Sequence, residues 1–211
     1  SKNISAYPLI TKYPKDGEAQ EHEVERLEDS QVSIYIPEND SKAVNEILLR
    51  AERGEQVLWI ENTVNETQQR YRCLAAKARE IGLDCGLLHA RFLKVDRQKN
   101  EDKWVGLFGK AGSDSRQEKG RILVGTQVLE QSLDIDADFL VTRLCPTDML
   151  FQRLGRLWRH RENDSIRPGE ARREAWVLAP CLNDAIEHQN SLGRSVRVYS
   201  PYILCRTLEV W

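Results

Sequence analysis

The feature that most constrains the fold is a regular alternation of short apolar runs with stretches of helical periodicity. Four of these runs are almost continuously apolar, which is typical of strands that are buried on both faces of a parallel sheet. They are VLWIENT (57–63), RILVGT (121–126), FLVTRL (139–144) and AWVLAP (175–180). Strands that alternate with helices over about 150 residues predict an α/β fold, with a parallel sheet flanked by helices and right-handed crossovers.

Helical periodicity fills the segments between the runs. The first predicted helix has a single apolar face, formed by Val44, Ile47, Leu48 and Ala51. Further helices are predicted over about 66–81, 96–108 and 147–160, and a last one from Pro201 to Trp211. Ser200 before Pro201 is a good helix start, because a hydroxyl can cap the helix and proline needs no N–H partner in its first turn. Two weaker runs, VSIYI after Gln31 and CGLLHA around Leu87, predict additional strands.

The composition changes along the chain and suggests three segments. Residues 1–30 are polar and dense in charge, and they are predicted to be a linker or an N-terminal edge. Residues 31–185 form the predicted α/β domain, and residues 186–211 form a C-terminal helical extension. No apolar run approaches the roughly 20 residues needed to cross a bilayer, and no secretory signal opens the sequence. We therefore expect no membrane association.

The metal-ligand content of the sequence is low. Five scattered cysteines without a C-x-x-C pair argue against a zinc ribbon or a disulfide framework, and a reducing cytoplasm is the expected location. Asp134, Asp136 and Asp138 alternate like the start of a calcium-binding loop, but Phe139 occupies the position of the required glycine. No metal site is predicted.

The net charge of −2 gives no indication of an anionic partner, but the charge is unevenly distributed. Residues 143–173 carry eight arginines, no lysine and four acidic residues. Within the predicted helix over 147–160, Gln152, Arg156 and Arg159 are spaced to lie on one face. Glycine at position 155, inside the predicted helix, costs about 1 kcal/mol of helix stability relative to alanine. This cost suggests that a phosphate or a neighbouring backbone approaches the helix closely there. Planar guanidinium groups presented in this way suit a polyphosphate.

A phosphate-binding loop is missing from the sequence. Its only Gly-Lys pair, Gly109-Lys110, is followed by Ala111, and Trp104 stands where such a loop needs its first glycine. A polyphosphate nucleotide could therefore not be fully bound by this chain. In a parallel sheet, ligands bind at the carboxyl ends of strands, so the loops after Thr63, His89, Thr126 and Leu144 are the expected functional regions.

Two segments carry a family resemblance. QRLGRLWR (152–159) resembles motif VI of superfamily 2 helicases, and GTQVLEQSLD (125–134) resembles their motif V, in the same order and at similar spacing. The resemblance implies a RecA-like domain, the second of two that enclose ATP. In such helicases the first domain holds the phosphates and Mg²⁺, and the second supplies arginine fingers and half of the nucleic-acid track.

The resemblance also implies roles for residues of both motifs. Arg156 and Arg159 are assigned to the γ-phosphate as arginine fingers, and Gln152 is assigned to the coupling of that phosphate to the domain interface. Asp134 is expected near the ribose, and Arg153 is also assigned to the nucleotide.

The nucleic-acid track is expected on the loops after three strands. Thr126 ends a buried run, where its hydroxyl and the adjacent N–H groups can hold a backbone phosphate, and Gln127 follows it. Asn62 and Thr63 resemble the helicase motif IV and are expected beside the tracked strand. Arg91 belongs to HARF (89–92), which resembles the next nucleic-acid-contacting loop.

Together, GTQVLEQSLDID, QRLGRLWRH and LLHARF followed by DR resemble the CRISPR-associated helicase-nucleases of type I systems, over roughly residues 31–211. This resemblance implies ATP-driven unwinding and degradation of target DNA, with single-stranded DNA as ligand. It also implies three partners outside the chain: a first RecA-like domain that holds ATP and Mg²⁺, a nuclease domain and a CRISPR surveillance complex. As an isolated domain, the chain is expected to be inactive.

Two alternatives remain open from the sequence. The chain could belong to another superfamily 2 DNA or RNA helicase, although Gln152 and Trp158 depart from the DEAD-box pattern. It could also be a nucleic-acid-binding module without catalytic activity. The arginines around motif VI are either a solvated rim or further DNA contacts; they are Arg161, Arg167, Arg172 and Arg173.

Overall fold

The computed structural model describes residues 9–15, 17–23, 31–130 and 133–211. Its backbone contacts divide the chain into two compact units, Ser1–Gln31 and Val32–Trp211. In the first unit, β1 (Leu9–Lys12) pairs with β2 (Gln20–Glu23) as an antiparallel hairpin. Residues 1–8, 16 and 24–30 of the predicted linker lie outside the described residues, and the predicted domain limits stay predictions.

The second unit is built around a six-stranded sheet. Its strands are β3 (Ser33–Tyr35), β4 (Gln56–Ile60), β5 (Asp84–Leu88), β6 (Arg121–Gly125), β7 (Phe139–Arg143) and β8 (Glu174–Leu178). Their order across the sheet is β3-β8-β7-β4-β6-β5, and every neighbouring pair is parallel. The predicted α/β class, with a parallel sheet flanked by helices, is confirmed.

Seven α-helices accompany the sheet in the described part of the chain. They are α1 (Asp40–Glu52), α2 (Val64–Glu80), α3 (Lys94–Phe108), α4 (Ser113–Glu118), α5 (Thr147–Leu154), α6 (Leu182–Glu187) and α7 (Pro201–Val210). Helix α4 lies between the predicted helix over about 96–108 and the predicted strand over 121–126, where no helix is predicted from the sequence. Helix α7 begins at Pro201 as predicted, although the hydroxyl of Ser200 makes no capping bond. Among the described residues, no helix is long and apolar enough to cross a membrane.

The core consists of two apolar clusters, because successive residues of each strand point to opposite sides of the sheet. Val57 and Trp59 of β4 join the cluster that includes residues of α1 and α2. Leu58 and Ile60 join the other cluster, which includes residues of α3, α5 and α7. The predicted apolar runs are continuous because both sides of the central strands are covered.

The predicted helix over 147–160 is wrong beyond Leu154. Helix α5 ends there, and the following backbone pairs with the segment that leads into β7. The N–H of Ala137 donates to the carbonyl of Arg156 at 2.8 Å, and the N–H of Trp158 donates to the carbonyl of Ala137 at 2.9 Å. Trp158 adopts a left-handed conformation with φ 49°. The backbone groups that a longer helix would use are therefore taken by an extended pairing.

An ion-pair cluster lies near the amino end of the sheet, centred on Arg50 of α1. Its guanidinium donates to Glu46 (2.7 Å) and Glu174 (3.1 Å) and lies 3.6 Å from the carboxylate of Glu55. Burial raises the pKa of Glu55 from 4.5 to about 7, while Arg50 lowers it and Asp138 raises it. The folded protein therefore retains a proton on Glu55 that the unfolded chain has already released.

We expect the free energy of unfolding to fall as the pH rises from 4.5 to about 7, the window set by Glu55. Glu55→Gln removes this ionisation, so the variant should gain stability relative to the parent at about pH 8 and not at about pH 4. Urea unfolding at both pH values measures the difference. Glu170→Gln removes an exposed carboxylate that pairs with Arg53 and not with Arg50, so it is the control and should keep the parent slope. Equal slopes for all three proteins would contradict the assignment.

Candidate nucleotide and nucleic-acid interface

Loops that follow β4, β5 and β6 lie side by side, because these strands are neighbours in the sheet. The N–H of Thr126 donates to the carbonyl of Leu88, the last residue of β5, at 3.2 Å. The side-chain amide of Gln127 donates to the carbonyl of Asn62 at 3.0 Å and to the hydroxyl of Tyr199 at 3.1 Å. The structure therefore brings the predicted residues Asn62, Thr126 and Gln127 together.

Arg153 lies inside the domain, with a side chain that is 0% exposed. Its Nε donates to Glu130 Oε1 at 2.6 Å, and its Nη2 donates to Asn62 Oδ1 at 3.0 Å. Its Nη1 donates to Thr142 Oγ1 at 2.7 Å and to the carbonyl of Arg143 at 3.0 Å. All three nitrogens are used within the domain. This arrangement does not support the sequence-based assignment of Arg153 as a nucleotide contact.

Asn62 is enclosed in the same network. Its Nδ2 donates to the carbonyl of Leu144 at 2.7 Å and to Ser195 Oγ at 2.8 Å, while its Oδ1 accepts from Arg153. Only 3% of Asn62 is exposed. The residue lies in the predicted loop, but its amide holds the loop to β7 and to the C-terminal segment instead of facing solvent.

Thr63 begins helix α2 as its N-cap. Its Oγ1 accepts from the backbone N–H of Glu66 at 3.3 Å and donates to the Glu66 carboxylate at 2.6 Å. The first of these bonds is an N-cap that satisfies one N–H group of the first helical turn, and the second holds the Thr63 hydroxyl in place. The hydroxyl of Thr63 therefore has a local structural role, and the residue remains partly exposed.

Arg91 is exposed beside a buried histidine. Its backbone N–H donates to His89 Nδ1 at 3.2 Å, and the His89 ring stacks on Phe92 with centroids 4.3 Å apart. Burial lowers the pKa of His89, and the charge of Arg91 lowers it further. A neutral imidazole thus supports a turn that presents the Arg91 side chain at the surface.

Arg156 lies against the backbone of the segment that contains motif V. Its Nη1 donates to the carbonyl of Leu133 at 2.7 Å, and its Nη2 donates to the carbonyl of Glu130 at 2.9 Å. Partial burial lowers the pKa of Arg156, and the neighbouring charge of Arg159 lowers it further. These hydrogen-bond acceptors are neutral carbonyls, so an anion could still pair with the guanidinium.

Arg159 and Asp134 meet at the surface. Arg159 Nε donates to Asp134 Oδ1 at 3.2 Å, and His160 Nε2 lies 3.0 Å from the same oxygen. Both members of the pair are partly open, with Arg159 40% and Asp134 45% exposed. The structure therefore groups the predicted residues Arg156, Arg159 and Asp134, although a turn held by an isolated backbone bridge, and not a helix face, brings them together.

Gln152 and Arg153 lie on different faces of α5. Successive helical residues are about 100° apart, so one can face solvent while the next faces the core. Gln152 is exposed on the last turn of the helix, whereas Arg153 is fully buried. The structure does not bring Gln152 into the Arg153 network.

Asp136 anchors the segment that carries Arg159. Its Oδ1 accepts from the backbone N–H of Arg159 at 2.7 Å, and its Oδ2 accepts from Asn163 Nδ2 at 2.7 Å. Arg167 donates to both oxygens of Asp136 and also to Asp138. The two aspartates are 0% exposed. Because Arg167 is buried between them, it is neither a solvated rim residue nor a DNA contact in this structure.

The buried aspartates also bear on metal binding. Asp136 and Asp138 are neutralised by arginines, with Arg116 donating to Asp138 at 2.7 Å. In the part of the chain that the structure describes, no group of three or more His, Cys, Asp or Glu side chains is arranged to hold a metal ion. Asp136 and Asp138 therefore have a structural role.

Sequence reasoning missed Glu130 and Asp136. Glu130 lies within motif V and is the buried counter-charge of Arg153, while Asp136 fixes the backbone of Arg159. Neither pairing has a local signal, because the partners are more than 20 residues apart in the sequence. Gln131 and Ser132, which belong to the motif V resemblance, lie outside the described residues.

The fold and these loops define the second RecA-like domain of a superfamily 2 helicase. Residues 53–162 match the family model described as CRISPR-associated nuclease/helicase Cas3, C-terminal, and this match covers half of the chain. The chain belongs to this Cas3 C-terminal family. The match includes both motifs and the loops after β4, β5 and β6.

Relatives and solved structures agree with this family. The CRISPR-associated nuclease/helicase Cas3 of Streptococcus thermophilus is 38% identical over 206 residues, which is 97% of this chain and 21% of the relative. A crystal structure of T. fusca Cas3-ATP superposes with a TM-score of 0.78 at 29% identity, covering 92% of this chain and 23% of that one. A chain of a CRISPR RNA-guided surveillance complex, pre-nicking, gives a TM-score of 0.60 at 31% identity, covering 85% and 24%. The chain thus spans about a fifth of the length of the curated relatives it matches.

Replacing Arg153 should show how much its ion pair with Glu130 contributes to the free energy of unfolding. Arg153→Met leaves the carboxylate of Glu130 buried without a cation, which we expect to cost about 3–5 kcal/mol of unfolding free energy. Burial raises the pKa of Glu130, while Arg153 lowers it. The cost should therefore shrink as the pH falls, because a protonated Glu130 needs no counter-charge.

Urea unfolding of Arg153→Met at neutral and mildly acidic pH measures both effects. The double variant Arg153→Met/Glu130→Gln should recover part of the lost stability at neutral pH. Arg159→Met serves as the control for removing one motif VI arginine, and we expect it to change stability little because its side chain is 40% exposed. A loss for Arg153→Met no larger than that of the control would contradict this role.

Proposed function

We propose that this chain is the second motor domain of an ATP-dependent DNA helicase or translocase, and that it supplies Arg156 and Arg159 to a composite ATP site. The observation that carries the proposal is the arrangement of these two arginines around Asp134. Arg156 bonds to the carbonyl of Leu133, and Arg159 pairs with Asp134 itself. Two cations beside one carboxylate leave a net positive charge, which favours a polyphosphate.

In hydrolysis, a guanidinium near the γ-phosphate stabilises the negative charge that develops on the transferring group. Arg159 is partly exposed and can exchange its pair with Asp134 for a phosphate oxygen. Arg156 is fixed by two carbonyls, and its remaining Nε is buried without a hydrogen-bond partner. Gln152, exposed on α5, is proposed to line the interface with the first domain.

The sequence lacks a phosphate-binding loop, so the proposed site is completed by a first RecA-like domain that holds ATP and Mg²⁺. One crystal structure of this family is of T. fusca Cas3-ATP, which supports nucleotide binding in the family. Asp134 lies beside Arg159, and its carboxylate is proposed to accept hydrogen bonds from the ribose hydroxyls. Arg153 is proposed as a positioning residue, because its network joins Glu130 of motif V to α5.

The proposed single-stranded DNA track runs over the loops after β4, β5 and β6. Thr126, which is 3% exposed, is proposed to shape the loop after β6, while Gln127, Thr63 at the start of α2 and the positive charge of Arg91 are proposed to face the DNA. Asn62 is proposed to position this track from within the domain, since its amide is committed to Arg153, Leu144 and Ser195. Arg153 thus contacts both Asn62, beside the proposed track, and Glu130 of motif V.

The proposed partners follow from the longer relatives. Those proteins are described as nuclease/helicases, and one matching chain belongs to a CRISPR RNA-guided surveillance complex. We therefore propose that a nuclease domain and such a complex act with this domain in target DNA unwinding and degradation. A nucleic-acid-binding module without turnover is the alternative that the ATPase experiment below distinguishes.

We expect Arg156→Ala and Arg159→Ala, each made in the full-length helicase, to lower DNA-stimulated ATP hydrolysis by about 10³-fold or more, mainly in kcat. The isolated chain should hydrolyse no ATP. Arg172→Ala is the matched control, because Arg172 is exposed and donates to the nearby carbonyls of Gly169 and Ala171. Full activity in both finger variants would refute the composite site.

Arg91→Ala should weaken binding of single-stranded DNA and reduce the slope of log affinity against log salt by about one. The physical reason is that each phosphate contact releases a counterion from the DNA, and the variant makes one such contact fewer. Arg53→Ala is the control: Arg53 is also exposed, but it ends α1 near the amino ends of the strands. Fluorescence anisotropy over a salt series gives both slopes, and identical slopes for the two variants would argue against the proposed track.

A further inference from the structure

Two aliphatic side chains project into solvent where the loop after β5 enters α3. Leu93 is 77% exposed and Val95 is 65% exposed. Leu93 is the most exposed large aliphatic residue in the part of the chain that the structure describes. A single exposed apolar residue is normal on a protein surface, but two that flank one position at the edge of a proposed binding track suggest a ligand. None of the roles proposed above uses either side chain.

The backbone that carries Leu93 is held from both sides. The N–H of Arg91 donates to His89 Nδ1 at 3.2 Å, and the Phe92 ring stacks on the His89 ring with centroids 4.3 Å apart. The carbonyl of Leu93 accepts from the N–H of Arg97 at 2.8 Å, in the first turn of α3. Leu93 is therefore exposed on a fixed turn, so little backbone entropy is lost when a ligand packs against it.

This turn lies at the outer end of the proposed DNA track. Strand β5 is the last strand in the order β3-β8-β7-β4-β6-β5, so the loop that follows it has a neighbouring track loop on one side only. Neighbouring strands lie about 4.8 Å apart, so the loops after β4, β6 and β5 span about 10 Å. DNA that lies across these loops enters or leaves the domain beside Leu93 and Val95.

The charge around the two aliphatic side chains favours nucleic acid as the ligand. Arg91 and Lys94 are exposed on either side of Leu93. Among the described residues, no side chain caps the first turn of α3, whose N–H groups carry a partial positive charge. The exposed Asp96 offsets only one of the two cations. Cations that alternate with apolar side chains suit DNA, which offers phosphates and the flat faces of bases.

Aliphatic side chains at such a place act on base stacking and not on hydrogen bonding. An inserted Leu or Ile side chain replaces one stacking contact between bases with apolar packing. Leucine and valine carry no donor or acceptor, so the contact is independent of the base sequence. At the end of a duplex, the last base pair exposes a whole face that such a side chain can cover.

We infer that Leu93 and Val95 form a wedge that packs against the terminal base pair where the tracked single strand leaves a duplex. Arg91 and Lys94 hold the phosphates of the tracked strand beside the wedge. Apolar packing on the exposed base replaces the stacking that is lost when the pair separates, so the wedge promotes strand separation. This inference rests on the proposed function and adds a strand-separating contact to the proposed track.

The test compares the opening of a duplex with activity on a single strand, in the full-length helicase. Leu93→Ser/Val95→Ser removes the apolar surface and keeps both neighbouring cations. Unwinding of a forked duplex should slow by about tenfold or more, because the opened base loses its apolar contact. ATP hydrolysis stimulated by oligothymidylate, which has no base pair to open, should change by no more than about twofold.

A fluorescent base gives a second readout that needs no ATP. With 2-aminopurine in the terminal base pair of the fork, binding of the parent protein should raise the fluorescence, because the wedge unstacks that base. The double variant should bind the fork and leave the fluorescence low. Both replaced side chains are exposed, so the fold should be unaffected.

Two control variants accompany the double variant. Ile186→Ser removes an aliphatic side chain that is also 65% exposed but lies on α6, which follows β8 in the other half of the sheet. It should leave unwinding and ATP hydrolysis unchanged. Leu93→Met/Val95→Ile keeps an apolar surface of similar volume and should retain unwinding within about twofold of the parent.

The outcomes separate failure of the wedge from failure of the track. Equal loss of unwinding and of ATP hydrolysis in the double variant would show that the two side chains only support phosphate binding. Unchanged unwinding would show that they face another protein surface and not DNA. Either result overturns the inference. Arg91→Ala reports on the proposed function: if it leaves the salt slope for single-stranded DNA unchanged, the track is wrong and the wedge fails with it.

Discussion

The buried guanidinium of Arg153 is the interaction on which the arrangement of the functional loops depends. A charge with no exposure to water is tolerated only when it is paired and fully hydrogen-bonded. Glu130 supplies the counter-charge, and Thr142, Arg143 and Asn62 accept the remaining bonds. Since these acceptors belong to loops or ends of three different strands, none of the loops can move without disturbing the others.

A second buried network, around Asp136, fixes the other end of the motif VI segment. Helix α5 starts after the carboxyl end of β7, and its chain returns to pair with Ala137 just before the same strand. Arg153 thus anchors the segment at one end, and Asp136 anchors the backbone of Arg159 at the other. Between these anchors, Arg156 and Arg159 are held beside Asp134 at little further cost in conformational entropy.

This geometry links the two proposed ligands through short, rigid contacts. Asn62 belongs to the loop beside the proposed DNA track, and Glu130 belongs to the segment that also accepts from Arg156. A displacement of the track loops would therefore also displace the backbone of Glu130, which accepts a hydrogen bond from the proposed finger Arg156.

The sequence by itself determined the sheet, most of the helices and the identity of the functional segments. Continuous apolar runs fix buried parallel strands, and motifs V and VI are short local patterns that need no knowledge of long-range contacts. Only the tertiary structure decided which way the motif side chains face. The predicted helix through residue 160 failed because Ala137, distant in sequence, takes the backbone bonds of Arg156 and Trp158. Arg153 and Asn62 turned inward for the same reason, because their partners meet them only after the chain has folded.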